Sequence, residues 1–492
     1  MDRSNASQSD QAITRGADFL QLDPADAPPG GLSDWLAAHL RTAIADGRLP
    51  IGSRLPATRT LATDLHVSRG VITEAYQRLI DDGHLAGRGR AGTIVVAAPL
   101  ATPPTVHAGA PAVTASFAGA PGDDVFDTLR VAPARIDFTP GLPDLSAFPR
   151  AAWQRAERTV LRDIPAAALG YGDPRGAPAL RAAAAHWLAR NRGIRTDPDA
   201  IVIVAGTAQA LALIARVLTH DGIHTIAVED PGSLGVRQHL QHWGITTPPV
   251  PVDDDGIRVD ALHTTNAPAA LLTPAHQFPT GVVLAPHRRR DLMHWAADGR
   301  FLIEDDYDAE HRYGRPPVPA LRAMLTDRVF YTGSVSKLLA PSLRTGWLLP
   351  PPSYLDAIIN EKRFADLGNA ALPQLVLAEL MNTGEMERTL RLLRRRHRRR
   401  RDTMITALGA HLTNAAVHGT AAGLHLTITF TGRFRDTDLA AAALHHGVKT
   451  HPLSWHTQRP RPPGLVLGYA AAPTSDITDG IATIAQALHS LV

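Results

Sequence analysis

The sequence predicts a multidomain protein: a small, mainly helical N-terminal domain followed by a large α/β domain with a mostly parallel sheet. The chain has 492 residues, which is too long for one ordinary domain. Apolar residues recur at helical spacing through residues 30–96. From residue 135 onward, short apolar runs alternate with amphipathic stretches, which is the pattern of β–α–β units.

Composition narrows the classes of protein to consider. Apolar residues make up 44% of the chain and charged residues 20%, as in globular proteins. A net charge of +3 gives no overall field for a nucleic acid, so any such site must be local. Because there is no cysteine, disulfides and thiolate metal ligands are excluded. We also expect no metal site.

Residues 1–29 form a polar N-terminal extension. The stretch "MDRSNASQSDQAITRG" has no apolar segment of the signal-peptide type, and no run approaches the ~18 apolar residues of a membrane span. We therefore expect a cytoplasmic protein without a membrane partner.

Residues 30–96 have the pattern of a helix-turn-helix. Thr58 can cap a short helix that ends at Leu65. After a turn at His66, Ser68 can cap a longer helix. Apolar residues at helical spacing mark the buried faces of these helices and of one that precedes them: Leu32, Leu36, Leu40, Ile44, Val71, Ile72, Ala75, Tyr76 and Leu79.

A wing is expected after the helices, because "HLAGRGRAGTIVV" has a glycine-rich tip between two short strand-like runs. Arginines lie at the expected tips of this unit: Arg59, Arg69, Arg88 and Arg90. Guanidinium groups in such places suit phosphates and base edges. The alternative is a small helical bundle that serves dimerisation or capping.

From Arg54 to Leu79 the chain resembles the GntR-type winged helix, whose pattern "RLPxxRxLAxxLxVSRxxVxxAYxxL" it matches. The resemblance implies double-stranded DNA, a promoter or operator, as the partner. It also implies that the operator is contacted at four positions: Arg59, Ser68, Arg69 and Thr73.

Residues 97–134 are rich in alanine, proline, glycine and threonine and show no sustained period, which predicts a flexible linker. A flexible chain of this length spans about 35 Å on average.

The large domain, residues 135–492, begins after this linker. Its expected strands are the runs "AIVIVAG", "HTIAVED", "AALLTPA", "RFLIEDD" and "RVFYTGS", separated by amphipathic stretches.

Lysine is rare in this chain. Of the 50 basic residues, only Lys337, Lys362 and Lys449 are lysines. An aldehyde cofactor is held covalently by a primary amine, which a desolvated lysine offers and arginine does not. Lys337 and its surroundings make chemical sense as a pyridoxal phosphate site, and the alternative is an ordinary surface lysine.

The other groups that this cofactor needs are close to Lys337 or at strand ends. Asp305 can keep the pyridine nitrogen protonated, and Tyr307 can hydrogen-bond the phenolic oxygen of the ring. Phosphate donors are expected from Arg344, from two hydroxyls and from the N-terminus of a helix: Ser334, Ser336, Gly206, Thr207 and Ala208.

Most of residues 135–492 resembles the fold-type I aminotransferases, through "YGDPRGAPALRAAAAHWLARNRGI", "VEDPG", "TPAHQFPTG", "IEDDYDAEHRY", "GSVSKLLAPSLRTGW", "AAGLH" and "LGYA" in that order. The resemblance implies an α/β fold-type I PLP-dependent transferase-like domain with Lys337 as the Schiff-base lysine. It further implies that Tyr171 reaches the phosphate of a neighbouring subunit, and that Gln277 and His276 lie near the ring.

A GntR winged helix joined by a linker to such a domain is the architecture of MocR-type regulators, which the chain resembles from about residue 18. The resemblance implies a homodimer. The subgroup that controls pyridoxine biosynthesis is one interpretation, with pyridoxal phosphate itself as effector.

Two departures from the enzyme pattern bear on activity. Ser233 stands where fold-type I enzymes usually place an aromatic ring, and Val466 stands where they usually place the arginine that binds the substrate carboxylate. Arg459 and Arg461 lie near enough in sequence to compensate. A regulator that senses pyridoxal phosphate, an amine effector or both is therefore the first hypothesis. A working aminotransferase with a DNA-binding domain is the second, and a winged helix used for protein contact is the third.

The segment "RTLRLLRRRHRRRRD", residues 388–402, has nine arginines. In a MocR-type chain it corresponds to a long helix, and a solvated helix face is the favoured interpretation. An auxiliary DNA contact is the alternative, since counterion release favours such a patch near phosphates.

Overall fold

A computed structural model describes residues 20, 22–28, 31–87, 89, 92–97, 117–313 and 318–491. The chain divides into two compact units, residues 1–108 and 109–492. Within the described part of the chain, the helices are all too short or too polar to cross a membrane.

The first unit is a winged helix-turn-helix. Its elements are α1 (Leu32–Ala45), α2 (Thr58–Asp64), α3 (Arg69–Asp81), β1 (Leu85–Gly87) and β2 (Thr93–Val95). The turn between α2 and α3 passes through His66, which has a φ of 55°. The two strands pair antiparallel, which confirms the predicted hairpin. The core buries apolar residues of all three helices, among them Leu36, Leu40, Leu61, Ile72 and Leu79.

The cap predicted at Thr58 differs from the structure, and the cap predicted at Ser68 agrees with it in position only. Thr58 is the first residue of α2, so Ala57 occupies the cap position, and the hydroxyl of Thr58 accepts from Arg69 Nε at 3.3 Å. Ser68 does occupy the cap position of α3 with an extended backbone, but its side chain makes no capping hydrogen bond. The hydroxyl of Ser68 therefore stays available at the surface.

The second unit contains these helices: α4 (Val125–Val131), α5 (Arg150–Asp163), α6 (Pro178–Arg192), α7 (Thr207–His220), α8 (Leu234–His242), α9 (Val259–Thr264), α10 (Pro286–Ala297), α11 (Leu355–Asp366), α12 (Ala371–Asn382), α13 (Glu385–His411), α14 (Asp436–His445) and α15 (Thr474–His489). Its strands are β3 (Ile136–Asp137), β4 (Val202–Val204), β5 (Ile226–Asp230), β6 (Pro249–Asp253), β7 (Gly256–Ile257), β8 (Ala269–Leu272), β9 (Phe301–Asp306), β10 (Val329–Ser334), β11 (Gly346–Leu349), β12 (Ala415–His418), β13 (His425–Phe430), β14 (Val448–Lys449), β15 (His451–Pro452) and β16 (Gly464–Gly468).

Eight strands form the central sheet, in the order β4-β11-β10-β9-β8-β5-β6-β7. The pairings from β10 through β9, β8 and β5 to β6 are parallel, and β11 runs antiparallel to both of its neighbours. Each of the five predicted strands lies in this sheet. Their near-complete burial explains why they are continuous apolar runs, as expected for strands covered on both faces.

A smaller antiparallel sheet has the order β12-β13-β16-β15. The long helix α13 packs against α15 beside it, and their buried side chains share one core with the sheet. The arginine-rich segment thus lies on a helix, as predicted.

The structure differs from the linker prediction after residue 117. Residues 125–131 form α4, and Phe117, Val125 and Leu129 are buried in the core of the second unit. Residues 117–134, which were predicted as linker, therefore belong to the folded second unit.

Candidate functional site

A cavity of about 640 Å³ lies at the carboxyl ends of the parallel strands and brings together most of the predicted cofactor residues. Its walls include Lys337, Asp305, Tyr307, Arg344, Ser334, Ser336, Thr207 and Ala208. A volume in this range suits a small molecule with room for a second one beside it.

Lys337 lies between β10 and β11 and points its amine at a glycine. A Cβ placed on Gly141 would lie 3.1 Å from Lys337 Nζ, and Gly141 has a φ of 76°. Glycine is thus favoured there both by the close approach and by the backbone conformation. Burial lowers the pKa of Lys337, with opposition from the charges of Asp308 and Asp305. An amine that loses its proton more readily is the form that attacks an aldehyde.

Asp305 lies beside Thr332 in the register of β9 and β10, and Thr332 Oγ1 donates to its Oδ1 at 3.2 Å. Side chains alternate along a strand, so the neighbours of Asp305 point away from its face of the sheet. There Asp306 binds Arg192, while Glu304 accepts backbone hydrogen bonds of 3.0 Å. This alternation selects Asp305 as the carboxyl group that faces the cavity.

Burial raises the pKa of Asp305 to about 7, so the carboxyl group is poised to share a proton with a ring nitrogen. A second cavity carboxyl, Glu229 at the end of β5, also has its pKa raised by burial to about 7. Glu229 accepts hydrogen bonds from the backbone N–H of Thr273 at 3.0 Å and from its hydroxyl at 2.8 Å. Sequence reasoning missed Glu229, although it stands in the quoted "VEDPG" motif.

Two buried residues, His276 and Asp308, position the hydroxyl of Tyr307. Its hydroxyl lies 3.0 Å from His276 Nδ1, which in turn lies 2.9 Å from Asp308 Oδ2. Burial, followed by the charge of Asp308, raises the pKa of Tyr307 well above its ordinary value, so its hydroxyl stays protonated as a donor. His276 thus reaches the site through Tyr307, since it does not itself line the cavity.

His276, Asp308 and His425 lie close enough together to hold a metal ion. One ring nitrogen of each histidine is engaged, because His276 Nδ1 contacts Asp308 and Tyr307, and His425 Nε2 lies 3.1 Å from the carbonyl of Pro279. The other ring nitrogens, His276 Nε2 and His425 Nδ1, are buried without a hydrogen-bond partner among the described residues. We interpret the cluster as support for Tyr307.

The expected phosphate donors converge at the start of α7. Gly206 precedes the helix with a φ of 79°, and a Cβ there would lie 3.2 Å from Arg344 Nη1. Arg344 also donates to the carbonyl of Ala205, which fixes its guanidinium beside the helix N-terminus. The helix dipole, free backbone N–H groups and a guanidinium make a cradle for a dianionic phosphate.

Two predicted cofactor residues lie elsewhere. The amide of Gln277 donates to the carbonyl of Pro231 at 2.8 Å and accepts from the hydroxyl of Thr280 at 2.7 Å, so it links its own loop to the loop after β5 and does not line the cavity. The neighbouring Phe278 faces the cavity instead. Tyr171 is 96% exposed and is not among the residues that line this cavity.

The outer wall of the cavity was not predicted. Phe126 and Leu129 come from α4, in the segment interpreted as linker, and Phe126 packs 5.3 Å from the ring of His451. His451 and His456 line the same part of the cavity, and burial lowers the pKa of both. In the sequence, the only indication of this wall was the presence of two aromatic residues, Phe117 and Phe126, within residues 97–134, which are mostly small.

The two departures from the enzyme pattern are visible in the structure. Ser233 lines the cavity and caps α8, accepting from the N–H of Val236 at 3.3 Å, so it presents no ring. Val466 is buried in β16, opposite Thr427 and His451.

The arginines suggested as substitutes for a carboxylate clamp bind backbone carbonyls. Arg459 Nη2 donates to Pro249 at 3.1 Å, and Arg461 Nη2 donates to Asp230 at 2.9 Å. Neither lines the cavity.

In the first unit, four of the residues predicted to contact DNA are exposed. Arg59 lies in α2, Ser68 immediately precedes α3, and Arg69 and Thr73 lie near the start of α3. Thr73 Oγ1 donates to the carbonyl of Arg69 at 2.9 Å, which leaves the oxygen lone pairs free. Arg88 and Arg90 lie outside the described residues.

Substitution of Asp305 gives a pH test of the buried carboxyl group. Its folded-state pKa of about 7 lies above the ordinary value of ~3.9, so the folded state binds the proton more tightly. The contribution of Asp305 to the free energy of unfolding of the cofactor-free protein should therefore be lost as pH rises toward and through 7. Urea unfolding between pH 5 and 8 should show a flatter pH dependence for Asp305→Asn than for the native chain. Parallel curves would contradict the assignment.

Comparisons with known proteins agree with this geometry. Residues 32–95 match the gntR family of bacterial regulatory proteins, and residues 138–453 match aminotransferase class I and II. The chain is 32% identical to the probable rhizopine catabolism regulatory protein MocR of Rhizobium meliloti, over 96% of each chain. It is also 32% identical to the pyridoxine biosynthesis transcriptional regulator PdxR of Corynebacterium glutamicum, over 83% of this chain and 85% of that one.

Among solved structures, the chain resembles the α-aminoadipate aminotransferase LysN of Thermus thermophilus, complexed with N-(5'-phosphopyridoxyl)-L-leucine. The TM-score is 0.67 at 26% identity, over 74% of this chain and 94% of that one. It also resembles the kynurenine aminotransferase of Pyrococcus horikoshii, with a TM-score of 0.68 at 25% identity, over 75% and 93% of the two chains.

Proposed function

Because this chain belongs to the MocR-type transcriptional regulators, in which a gntR-family domain precedes an aminotransferase class I and II domain, we propose that occupancy of the cavity around Lys337 controls how the chain binds DNA. The chain is a DNA-binding transcriptional regulator, and its cofactor is pyridoxal phosphate. The roles of individual residues, the effector and the assembly are the proposal.

Lys337 forms the covalent link to the cofactor, Asp305 pairs with the ring nitrogen, and Tyr307 donates to the phenolic oxygen. When bound, the cofactor would supply an electrophilic carbon at which an incoming primary amine can replace the amine of Lys337. The cradle of Arg344 and the N-terminus of α7 takes the phosphate, with the hydroxyls of Ser334 and Ser336 nearby. Support comes from the convergence of these groups on one cavity.

The effector is pyridoxal phosphate alone, or together with an amine that needs no carboxylate clamp. The observation that carries this is Val466, buried in β16 where a carboxylate-binding arginine would stand in an enzyme of this fold. The two named relatives are described as regulators of different pathways, rhizopine catabolism and pyridoxine biosynthesis, so the proposal for the effector rests on the cavity and not on the similarity.

We further propose a homodimer in which Tyr171 reaches the phosphate cradle of the partner subunit. The support is its 96% exposure in the single chain, which is unusual for a tyrosine without a partner.

Titration of cofactor into the cofactor-free protein on operator DNA tests the coupling. Pyridoxal phosphate is expected to change operator affinity or the footprint, because a ligand that distinguishes two arrangements of the dimer shifts their populations. Lys337→Ala is the matched control and should reduce the response. Identical footprints and affinities with and without cofactor would leave the second domain as a dimerisation unit only.

Arg69→Ala tests the DNA-binding face. Arg69 opens α3 and is exposed, where a recognition helix meets base edges. A good base contact contributes about 1–3 kcal/mol, so operator binding should weaken by about 5- to 150-fold relative to random DNA of the same length. Arg41→Ala on α1 is a control outside the predicted contacts. Equal weakening on operator and random DNA would assign Arg69 to phosphate contact alone.

A further inference from the structure

The long helix α13 presents an exposed face of arginines that the cofactor site does not use. Four residues form this arginine stripe: Arg391, Arg395, Arg398 and Arg399. Their spacing of four, seven and eight residues from the first places them on one side of the helix. At the rise of an α-helix the stripe extends over about 12 Å.

The other arginines of the segment have structural partners. Arg394 Nε donates to the carbonyl of Glu310 at 2.7 Å, and Arg396 and Arg400 bind Asp144 at 3.2 and 2.9 Å. Arg401 binds Asp402 at 2.6 Å. The stripe arginines, in contrast, make no side-chain hydrogen bond or ion pair with any residue that the structure describes.

A surface groove of about 580 Å³ adjoins the stripe. Arg395, Arg398 and Arg399 line it together with His411 and Asp402. Because the carboxylate of Asp402 is already paired with Arg401, the groove has a net positive charge.

Like charges four residues apart on a helix destabilise it by a few tenths of a kcal/mol per pair. Binding of a polyanion would offset this repulsion. Each phosphate that the arginines neutralise also releases condensed counterions, which favours binding. Arginine also binds phosphate through two parallel hydrogen bonds. We propose that the arginine stripe is an accessory binding surface for the sugar–phosphate backbone of DNA.

DNA is the partner that charge complementarity favours in this chain, because the gntR-family domain already binds it. The stripe contacts would carry no sequence information, so they would raise affinity for operator and flanking DNA alike. The proposal rests on DNA binding by this regulator and does not depend on cofactor sensing.

The test compares two four-fold variants of the full-length chain. The stripe variant carries R391Q, R395Q, R398Q and R399Q, and the charge-matched control carries R150Q, R158Q, R195Q and R290Q, which are exposed arginines on other elements or loops. Binding to a long operator duplex is measured as a function of salt. Each phosphate contact contributes about 0.9 to the slope of log affinity against log salt. If two to four contacts are lost, the stripe variant should show a slope smaller in magnitude by about 2 to 4.

The control variant should keep most of the native slope, and both variants should keep their circular dichroism and cofactor absorbance. If the four-fold stripe variant fails to fold, R391Q with R395Q and R398Q with R399Q are measured as pairs. An unchanged slope, or an equal loss in the control, would overturn the proposal. A stripe variant that keeps its DNA slope but loses binding to RNA or to anionic vesicles would assign the surface to that partner instead. Loss of operator preference in Arg69→Ala with an intact stripe effect would separate the two DNA contacts.

Discussion

Lys337→Ala is expected to abolish the absorbance band of the bound cofactor near the visible edge, and to remove the label that borohydride reduction leaves on the chain. Lys337 Nζ is the amine that the cavity presents, within 3.1 Å of the position of a Cβ on Gly141. The covalent link depends on this one nitrogen, so the loss should be complete. The remaining contacts of Asp305, Tyr307 and Arg344 should allow only weaker, non-covalent binding.

The other two lysines are natural controls. Lys362 is buried but donates to Asp366 at 2.9 Å and to Asn369 at 2.7 Å, and Lys449 lies 3.4 Å from Asp137. Peptide mapping after reduction should place the pyridoxyl group on Lys337 in the native chain, and Lys449→Arg should retain the band. Label on Lys362 or Lys449, or a band that survives in Lys337→Ala, would contradict the assignment.

The sequence was sufficient to predict the sheet and the family. Strands such as β5 and β9 are buried on both faces, and a continuous apolar run with a polar end is what such burial requires. The positions of the motifs at the ends of these strands also predicted which residues come together. Asp305 and Ser334 lie at the carboxyl ends of β9 and β10, and Lys337 follows β10. These two strands are parallel neighbours in the sheet, so their carboxyl ends come together. Their roles toward the cofactor stay predictions.

The features that the sequence did not predict depend on side-chain orientation and on tertiary packing. Gln277 and Phe278 are adjacent, and only the structure shows that loop carbonyls satisfy the amide while the ring faces the cavity. Helix α4 was missed because its surroundings have linker composition, although Phe126 and Leu129 gain burial against the rest of the second unit. Tertiary packing, which local composition does not report, stabilises this short helix.

Slow transamination is the second result with a large expected effect. An aminotransferase must hold the substrate so that its Cα–H bond stands perpendicular to the cofactor ring, and the carboxylate clamp and the stacked ring supply that orientation. Here Val466 offers no clamp, and Ser233 offers a hydroxyl that caps a helix. Losing a charge-assisted contact costs about 1.5–3 kcal/mol, or about 10- to 150-fold, before any loss of orientation.

A single-turnover assay measures this directly, by following conversion of bound pyridoxal phosphate to pyridoxamine phosphate with a panel of amino acids. We expect amines to perturb the spectrum while conversion takes hours. Matched pairs that differ only in the carboxylate, such as phenylalanine and phenethylamine, should perturb the spectrum to a similar extent. A strong preference for the amino acid would show that a carboxylate site exists.

Arg237 is the cavity-lining residue that would supply such a carboxylate site. Arg237 lines the cavity near Ser233, and its Nη2 donates to the carbonyl of Trp455 at 2.8 Å while its Nη1 is buried without a hydrogen-bond partner among the described residues. Burial lowers the pKa of Arg237, and the charge of Asp230 opposes that shift. Conversion within seconds that is lost in Arg237→Ala would assign carboxylate binding to Arg237 and establish a working aminotransferase. Conversion that stays slow in both chains would support a regulatory and not a catalytic role for the amine chemistry of Lys337.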